Sequence, residues 1–136
     1  MYKTILVPIE MSQIELGKSM IETARKHSDK ETRIILLNVI EDIPSWAAVG
    51  LPKDILESSR KSTTEEVQAL ANAASIQADV EICSGHPYKN ILEKASEEEV
   101  DLIIIASHKP GLQDYLLGST AAKVVRHARC SVLVVR

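Results

Sequence analysis

Aromatic residues are scarce in this chain of 136 residues, of which they make up 3%, and none of them is phenylalanine. The hydrophobic core must therefore be built from isoleucine, leucine, valine and alanine. Single-stranded nucleic acids are commonly bound by stacking bases on aromatic side chains, and this chain offers few of these. Its 16 Lys and Arg and 19 Asp and Glu give a net charge of −3, whereas nonspecific nucleic-acid binding needs clustered positive charge. We therefore expect no nucleic-acid partner.

Cysteine is scarce as well. Cys83 and Cys130 are the only two, and their spacing matches neither a redox CxxC motif nor a zinc site. Buried free thiols in a reducing compartment explain them best. No apolar run reaches the roughly 18–20 residues of a membrane helix, and Tyr2-Lys3 leads directly into a strand rather than into a secretory signal. We expect a cytoplasmic protein without a membrane partner.

Short apolar runs alternate along the chain with helical patterns. Such runs are typical of parallel strands whose two faces are covered by helices, and a repeated strand–helix order implies right-handed crossovers. The predicted fold class is α/β: one doubly wound, five-stranded parallel sheet with helices on both faces, forming a single domain over residues 1–136. The predicted strands are 4–9, 33–40, 78–83, 101–107 and 131–135, and the predicted helices are 12–28, 53–75, 87–98 and 119–128.

The first helical pattern carries a start signal. Ser12 is followed three residues later by Glu15, which is the spacing of a capping box. We therefore predict that Ser12 is the N-cap of this helix. Glu10 lies just before it, at the carboxyl end of the first strand, either as a solvated acid or as a ligand contact.

The stretch from Leu102 to Thr120 favours an anion site. A buried strand is followed by a polar loop, and Gly118-Ser119-Thr120 then begins a helix. Helix N-termini present unpaired N–H groups and a positive dipole end to anions. Gly-Ser at this place could equally be a simple helix cap without a ligand. In this fold class, ligands bind at the carboxyl ends of strands where the strand order reverses. We expect the first strand and strand 102–106 to be neighbours there.

Five segments of the chain, in this order and spacing, resemble the universal stress protein family. Within the family, Ser107–Pro110 and Tyr115–Ser119 resemble a glycine-poor bacterial branch. The resemblance covers the whole chain and implies a Rossmann-like α/β domain that binds an adenine nucleotide, usually as a homodimer and in many members with ATP. The segments are Tyr2–Ile9, Leu36–Val39, Gly85-His86-Pro87, Leu117-Gly118-Ser119 and Cys130–Arg136.

The resemblance implies a nucleotide site of three parts. The expected ligand is ATP, ADP or AMP, with or without Mg²⁺, and neither catalytic residues nor a set of metal ligands is predicted. The adenine and ribose would meet Pro8, Ile9, Glu10 and Val39; the stretch from ribose to phosphate would meet Ala106, His108 and Lys109; the phosphates would meet Gly118, Ser119, Thr120 and Ala121.

The chain departs from the loop of the family's ATP-binding members, Gly-x2-Gly-x9-Gly-Ser/Thr. Ala106 and Lys109 stand at the first two glycine positions, and residues 110–117 give a shorter spacing before Gly118. Fewer glycines limit how closely the backbone can approach a triphosphate, whereas Lys109 adds a positive charge at the same place.

Three functions remain open from the sequence. The favoured one is a nucleotide-binding regulatory module of the stress response, dimeric through the apolar C-terminal strand 131–135. The second is a slow ATPase or a protein that phosphorylates itself on Ser119 or Thr120, although the chain lacks a Walker A motif and a kinase-type base. The third is a dimeric scaffold without a ligand.

Overall fold

A computed structural model of the protein describes residues 1–41, 50, 52–107 and 117–136. Every predicted strand and helix is present, with ends within two residues of the predicted ones. The strands are β1 (Thr4–Pro8), β2 (Arg33–Ile40), β3 (Asp79–Ser84), β4 (Leu102–Ala106) and β5 (Ser131–Val135), and the α-helices are α1 (Ile14–Lys26), α2 (Lys53–Ala73), α3 (Pro87–Glu97) and α4 (Ser119–His127).

The five strands form one parallel sheet in the order β3-β2-β1-β4-β5. The chain first builds outward from β1 through β2 to β3, and then returns to the other side of β1 to add β4 and β5. The strand order therefore reverses between β1 and β4, as predicted. Strands β3 and β5 are the two edges of the sheet.

Helices cover both faces of the sheet, which confirms the predicted fold class. Side chains alternate along β1, so that Ile5 and Val7 join the core under α1 and α2, while Leu6 joins the core under α3 and α4. Because both faces of the central strands are buried, their sequences read as continuous apolar runs. The core is aliphatic as expected, since its largest fully buried side chains are all Ile, Leu or Val.

The predicted capping box is wrong. A 3-10 turn over Met11–Gln13 precedes α1, and Gln13 rather than Ser12 occupies the N-cap position, without a side-chain cap. The Ser12 hydroxyl instead donates to the Glu10 carboxylate at 2.9 Å. A hydrogen bond to a charged acceptor is stronger than one to a neutral partner, so Glu10 competes successfully for the hydroxyl that the capping box needs.

The cysteines are free thiols, as predicted, but both are partly exposed rather than buried. Cys83 lies in edge strand β3, and Cys130 directly precedes β5 at the opposite edge. Four strand spacings, about 19 Å in all, separate these edges, which is far beyond the reach of a disulfide. Burial is the main cause that raises the pKa of each thiol, so both favour the protonated form.

No helix in residues 1–41, 52–107 and 117–136 has both the length and the apolar character that crossing a membrane requires.

Asp101 ties the amino ends of β1 and β4 together. Its carboxylate accepts hydrogen bonds from the backbone N–H groups of Lys3 (2.9 Å) and Thr4 (2.8 Å), and its own N–H donates to the Thr4 carbonyl at 3.1 Å. Burial is the largest single influence and raises the pKa of Asp101, but the N–H groups of Lys3, Thr4 and Asp101 itself, together with the charge of Lys3, lower it by more, so its pKa lies below the ordinary value.

Arg33 ties the amino ends of β2 and β3 in a similar way. Its guanidinium donates to Asp79 at 2.7 Å and also to Glu98, which directly follows α3. These carboxylates raise the pKa of Arg33, and Arg33 lowers the pKa of Glu98. Such exposed ion pairs add only about 0–1 kcal/mol each, so they align the strand ends more than they stabilise the fold.

Replacing Asp101 by Asn should lower the free energy of unfolding by about 1–2 kcal/mol at neutral pH, because an amide offers only one acceptor oxygen to two N–H donors. The folded-state pKa of Asp101 lies below its unfolded value of about 3.9. The carboxylate's stabilisation is therefore complete above that unfolded value and is lost as the pH falls through the folded pKa.

Urea unfolding of wild type and Asp101→Asn from pH 7 down to pH 2 checks this expectation. The stability difference should shrink below about pH 4. Glu66→Gln is the control, since Glu66 is exposed in the middle of α2 and its substitution should have little effect at any pH. A stability difference for Asp101→Asn that stays constant across the whole range would contradict the role of its charge.

Candidate functional site

A cleft of about 330 Å³ opens at the carboxyl edge of the sheet, where the strand order reverses. The ends of β1, β2 and β4 form its floor, and the starts of α1, α3 and α4 form its walls. Its lining residues are Pro8, Ile9, Glu10, Gln13, Leu16, Met20, Leu37, Val39, Glu41, Pro87, Ile91, Ile105, Ala106 and Thr120.

The backbone beyond β1 is fixed to β2. The N–H of Ile9 donates to the Leu37 carbonyl at 2.7 Å, and the side-chain amide of Asn38 donates to the Ile9 carbonyl at 2.8 Å. Asn38 is only 7% exposed, so an unpaired amide at this place would be costly. These bonds hold Glu10 at the rim of the cleft.

The start of α4 is fixed to the ends of β4 and β5. The N–H of Gly118 donates to the carbonyl of Ser107, whose own N–H donates to the Val135 carbonyl at 3.0 Å. Gly118 is the N-cap of α4, and the Ala122 N–H donates to the Gly118 carbonyl at 2.9 Å as the first helical bond. The backbone N–H groups of residues 119–121 therefore lack helical acceptors.

Three helices begin at this cleft. Leu16 lies in the first turn of α1, Pro87 is the first residue of α3, and Thr120 is the second residue of α4. Each helix start carries a partial positive charge of roughly half an elementary charge. The carboxylates of Glu10 and Glu41 also line the cleft. The cleft thus offers N–H donors to an anion and carboxylate acceptors to hydroxyl groups.

Glu10 is exposed but held in place. One of its carboxylate oxygens accepts from the Ser12 hydroxyl at 2.9 Å, and the other accepts from the Gln13 side-chain amide at 3.1 Å. Both donors belong to the 3-10 turn that directly follows Glu10. The carboxylate is therefore oriented by its own turn, in contrast to a loosely solvated strand-end acid.

Six of the predicted site residues line the cleft together. The side chain of Ala121 packs in the core under α3 and α4, and Gly118 and Ser119 begin α4 beside Thr120. His108 and Lys109 lie outside the described residues, so their roles stay predictions. The six that line the cleft are Pro8, Ile9, Glu10, Val39, Ala106 and Thr120.

Sequence reasoning missed the other lining residues. Leu37 could have been found from register, because it pairs with Pro8 at the end of β1, and Ile105 could have been found because it lies near the end of β4. Gln13 was hidden by the wrong capping-box prediction, which placed it inside a helix. The residues missed are Gln13, Leu16, Met20, Leu37, Glu41, Pro87, Ile91 and Ile105.

A second hollow, of about 410 Å³, lies at the amino edge of the sheet among Ser96, Val100, His127 and Cys130. It is bordered by the carboxyl ends of α3 and α4, where the dipole carries partial negative charge. An anionic ligand is therefore disfavoured there and favoured at the carboxyl edge. Across the described ranges, no group of three or more His, Cys, Asp or Glu side chains is arranged to hold a metal ion.

The family model described as the universal stress protein family matches residues 1–136. The chain belongs to this family. Universal stress protein A homolog 2 of Coxiella burnetii is 32% identical over 141 residues, which cover 99% of this chain and 95% of that protein.

Solved structures share the fold. That of the protein MJ0577 is 26% identical, covers 99% of this chain and 96% of its own, and superposes with a TM-score of 0.81. The structure of a universal stress protein in complex with cAMP is 22% identical, covers 99% of this chain and 97% of its own, and superposes with a TM-score of 0.68. The structure of the universal stress protein from Archaeoglobus fulgidus in complex with dAMP is 15% identical, covers 99% of this chain and 98% of its own, and superposes with a TM-score of 0.71.

Gly85 shapes the turn that places the start of α3 at the cleft. Its φ is +127°, a conformation that residues with a side chain rarely adopt, and its N–H donates to the Ile40 carbonyl at 2.9 Å. The Asn90 side-chain amide bridges the turn by donating to the carbonyls of Ser84 (3.2 Å) and His86 (2.9 Å).

Gly85→Ala should destabilise the protein by about 1–3 kcal/mol. A Cβ at this position would lie 2.8 Å from the Asn90 amide nitrogen in addition to the unfavourable φ. Gly17→Ala is the matched control, because its Cβ would meet Ile9 at an ordinary 3.5 Å and alanine is the better helix former. Denaturant unfolding that shows equal stability for both variants would contradict the role of Gly85.

Proposed function

We propose that this universal stress protein binds an adenine nucleotide in the cleft at the carboxyl edge of its sheet and acts as a regulatory module of the stress response. The observation that carries the proposal is the meeting of three helix starts at the point where the strand order reverses. Helix starts bind phosphates through N–H groups and dipole, and reversal points are where ligands bind in sheets of this kind.

The nucleotide would lie across the cleft from β1 and β2 to α4. Adenine would contact the apolar Pro8, Ile9 and Val39, and ribose would lie beside Glu10, which is also the residue that would help to hold Mg²⁺. Ala106 and, as the family resemblance implies, His108 and Lys109 would line the stretch from ribose to phosphate. The N–H groups of residues 119–121, beside Gly118, would bind the phosphates. ATP, ADP and AMP all present these parts.

Two family members with this fold were solved with cAMP and with dAMP, each of which joins adenine and a sugar to one phosphate. At 22% and 15% identity, these two proteins share only the fold with this chain. The support for this chain comes from its own cleft, which brings together apolar side chains for a base, a positioned carboxylate for a sugar and uncapped N–H groups for a phosphate.

Gly118→Val tests the phosphate end. The φ of Gly118 is −62°, which any residue adopts, so the substitution should leave the fold intact while its side chain hinders close approach of phosphate to the backbone. ATP and AMP should bind at least about tenfold more weakly, or roughly 1.4 kcal/mol. The measurement is calorimetry, with Val125→Thr on the exposed side of the same helix as control. Unchanged affinity in a folded Gly118→Val protein would refute the proposed phosphate site.

We also propose that the protein is a cytoplasmic homodimer that pairs through β5. This strand is the last in the sheet order, and its apolar residues are half-buried. An apolar edge strand invites pairing with another strand, and pairing with the same strand of a second copy is self-complementary under twofold symmetry. The free thiols fit a reducing compartment.

Proline substitution at Leu133 and at Val134 tests the dimer. The N–H groups of consecutive strand residues point to opposite sides, so one of them faces β4 and the other faces the open edge. Proline removes the N–H and is tolerated only where that group faces outward. One variant should therefore be folded and monomeric by light scattering, and the other should be destabilised. A wild-type protein that is monomeric at tens of micromolar would exclude this interface.

A further inference from the structure

Gln13 makes two hydrogen bonds to Glu10. Its backbone N–H donates to the Glu10 carbonyl at 3.0 Å, and its side-chain Nε2 donates to Glu10 Oε2 at 3.1 Å. With Ser12 donating to Oε1 at 2.9 Å, each oxygen of the Glu10 carboxylate has one donor. Gln13 occupies the N-cap position of α1 but makes no side-chain cap there, so helix capping does not explain this residue.

The contact with Glu10 fixes the orientation of the Gln13 amide. A carboxylate only accepts hydrogen bonds, so the amide must present its NH₂ group to Glu10, and its oxygen then faces away. This oxygen, Oε1, is buried and accepts no hydrogen bond within the described part of the chain. A buried acceptor without a donor is costly, and Gln13 lines the cleft. A donor brought by a ligand would remove this cost.

We propose that Gln13 determines specificity for a ribose, with Oε1 accepting a hydrogen bond from the 2′-hydroxyl of the sugar's vicinal diol while Glu10 accepts one from the 3′-hydroxyl. This inference rests on the proposed nucleotide binding and extends it to the sugar. Two adjacent acceptors match the two adjacent donors of a diol. They do not match the edge of adenine, where the amino donor lies beside a ring-nitrogen acceptor that would oppose the second oxygen.

Gln13 then has two separate effects on binding. Its Nε2 holds the Glu10 carboxylate in one orientation, and its Oε1 contacts the ligand directly. Ser12 holds the same carboxylate but does not line the cleft. Ser12 therefore provides a matched comparison with Gln13: Ser12 only orients Glu10, whereas Gln13 would also contact the sugar.

The test is calorimetric titration of AMP and 2′-deoxy-AMP into wild type, Gln13→Met and Ser12→Ala. Wild type should bind AMP about tenfold more tightly than its deoxy analogue, which corresponds to roughly 1.4 kcal/mol. Gln13→Met keeps a similar size without donor or acceptor, and it should bind both ligands with nearly equal affinity. Ser12→Ala should weaken both ligands modestly and keep the preference for AMP.

Thermal unfolding of the free proteins separates recognition from structure. Because Gln13→Met removes an unpaired buried oxygen, its melting temperature should be equal to or above that of wild type. Two results would overturn this inference without affecting the proposed nucleotide site. One is wild type that binds AMP and 2′-deoxy-AMP equally, and the other is a Gln13→Met variant that still prefers AMP. A lower melting temperature with equal losses for both ligands would show a structural role and also overturn it. Absence of AMP binding by wild type would overturn both proposals.

Discussion

The parallel pairing of β1 with both β2 and β4 is the constraint on which the rest of the structure depends. With partners on both sides and helices on both faces, the three central residues of β1 are fully buried, and only its two end residues, Thr4 and Pro8, are partly exposed. The strand that follows β1 in the chain is added on one side of it, and the strand that follows β4 is added on the other side, so the strand order reverses between β1 and β4. The cleft is thus a consequence of strand order, and the helix starts are brought to it because each follows the carboxyl end of a strand.

The amino ends of the strands and their carboxyl ends are held together by different interactions. At the amino edge, side chains tie strand to strand, with Asp101 joining β1 to β4 and Arg33 joining β2 to β3. At the carboxyl edge, the connections are mainly backbone hydrogen bonds, such as those from the Ile9 N–H to the Leu37 carbonyl and from the Gly118 N–H to the Ser107 carbonyl. The apolar side chains that line the cleft, such as Ile9, Leu37 and Ile105, also belong to the buried cores. The exposed carboxylates Glu10 and Glu41 remain available to contact a ligand.

Much of the fold could be predicted from the sequence because the central strands are buried on both faces. Continuous apolar runs gave the exact bounds of β2 and β5, and the strand–helix alternation predicted that β1 and β4 are neighbours. The ion pairs of Arg33 could not be predicted, since its partners lie 46 and 65 residues away. The start of α1 was mispredicted because local pattern gives no sign that a carboxylate competes for Ser12. Gln13 was missed for the same reason, although it belongs to the polar part of the candidate site.

Titration of ¹⁵N-labelled protein with AMP, followed by amide chemical shifts, tests the central claim most directly. Shifts should saturate together at residues 9–13, 39–41, 105–107 and 118–121, and the amides around Cys130 at the opposite edge should be unchanged. Absence of shifts at millimolar AMP, or shifts that cluster around Cys130 and His127, would contradict it.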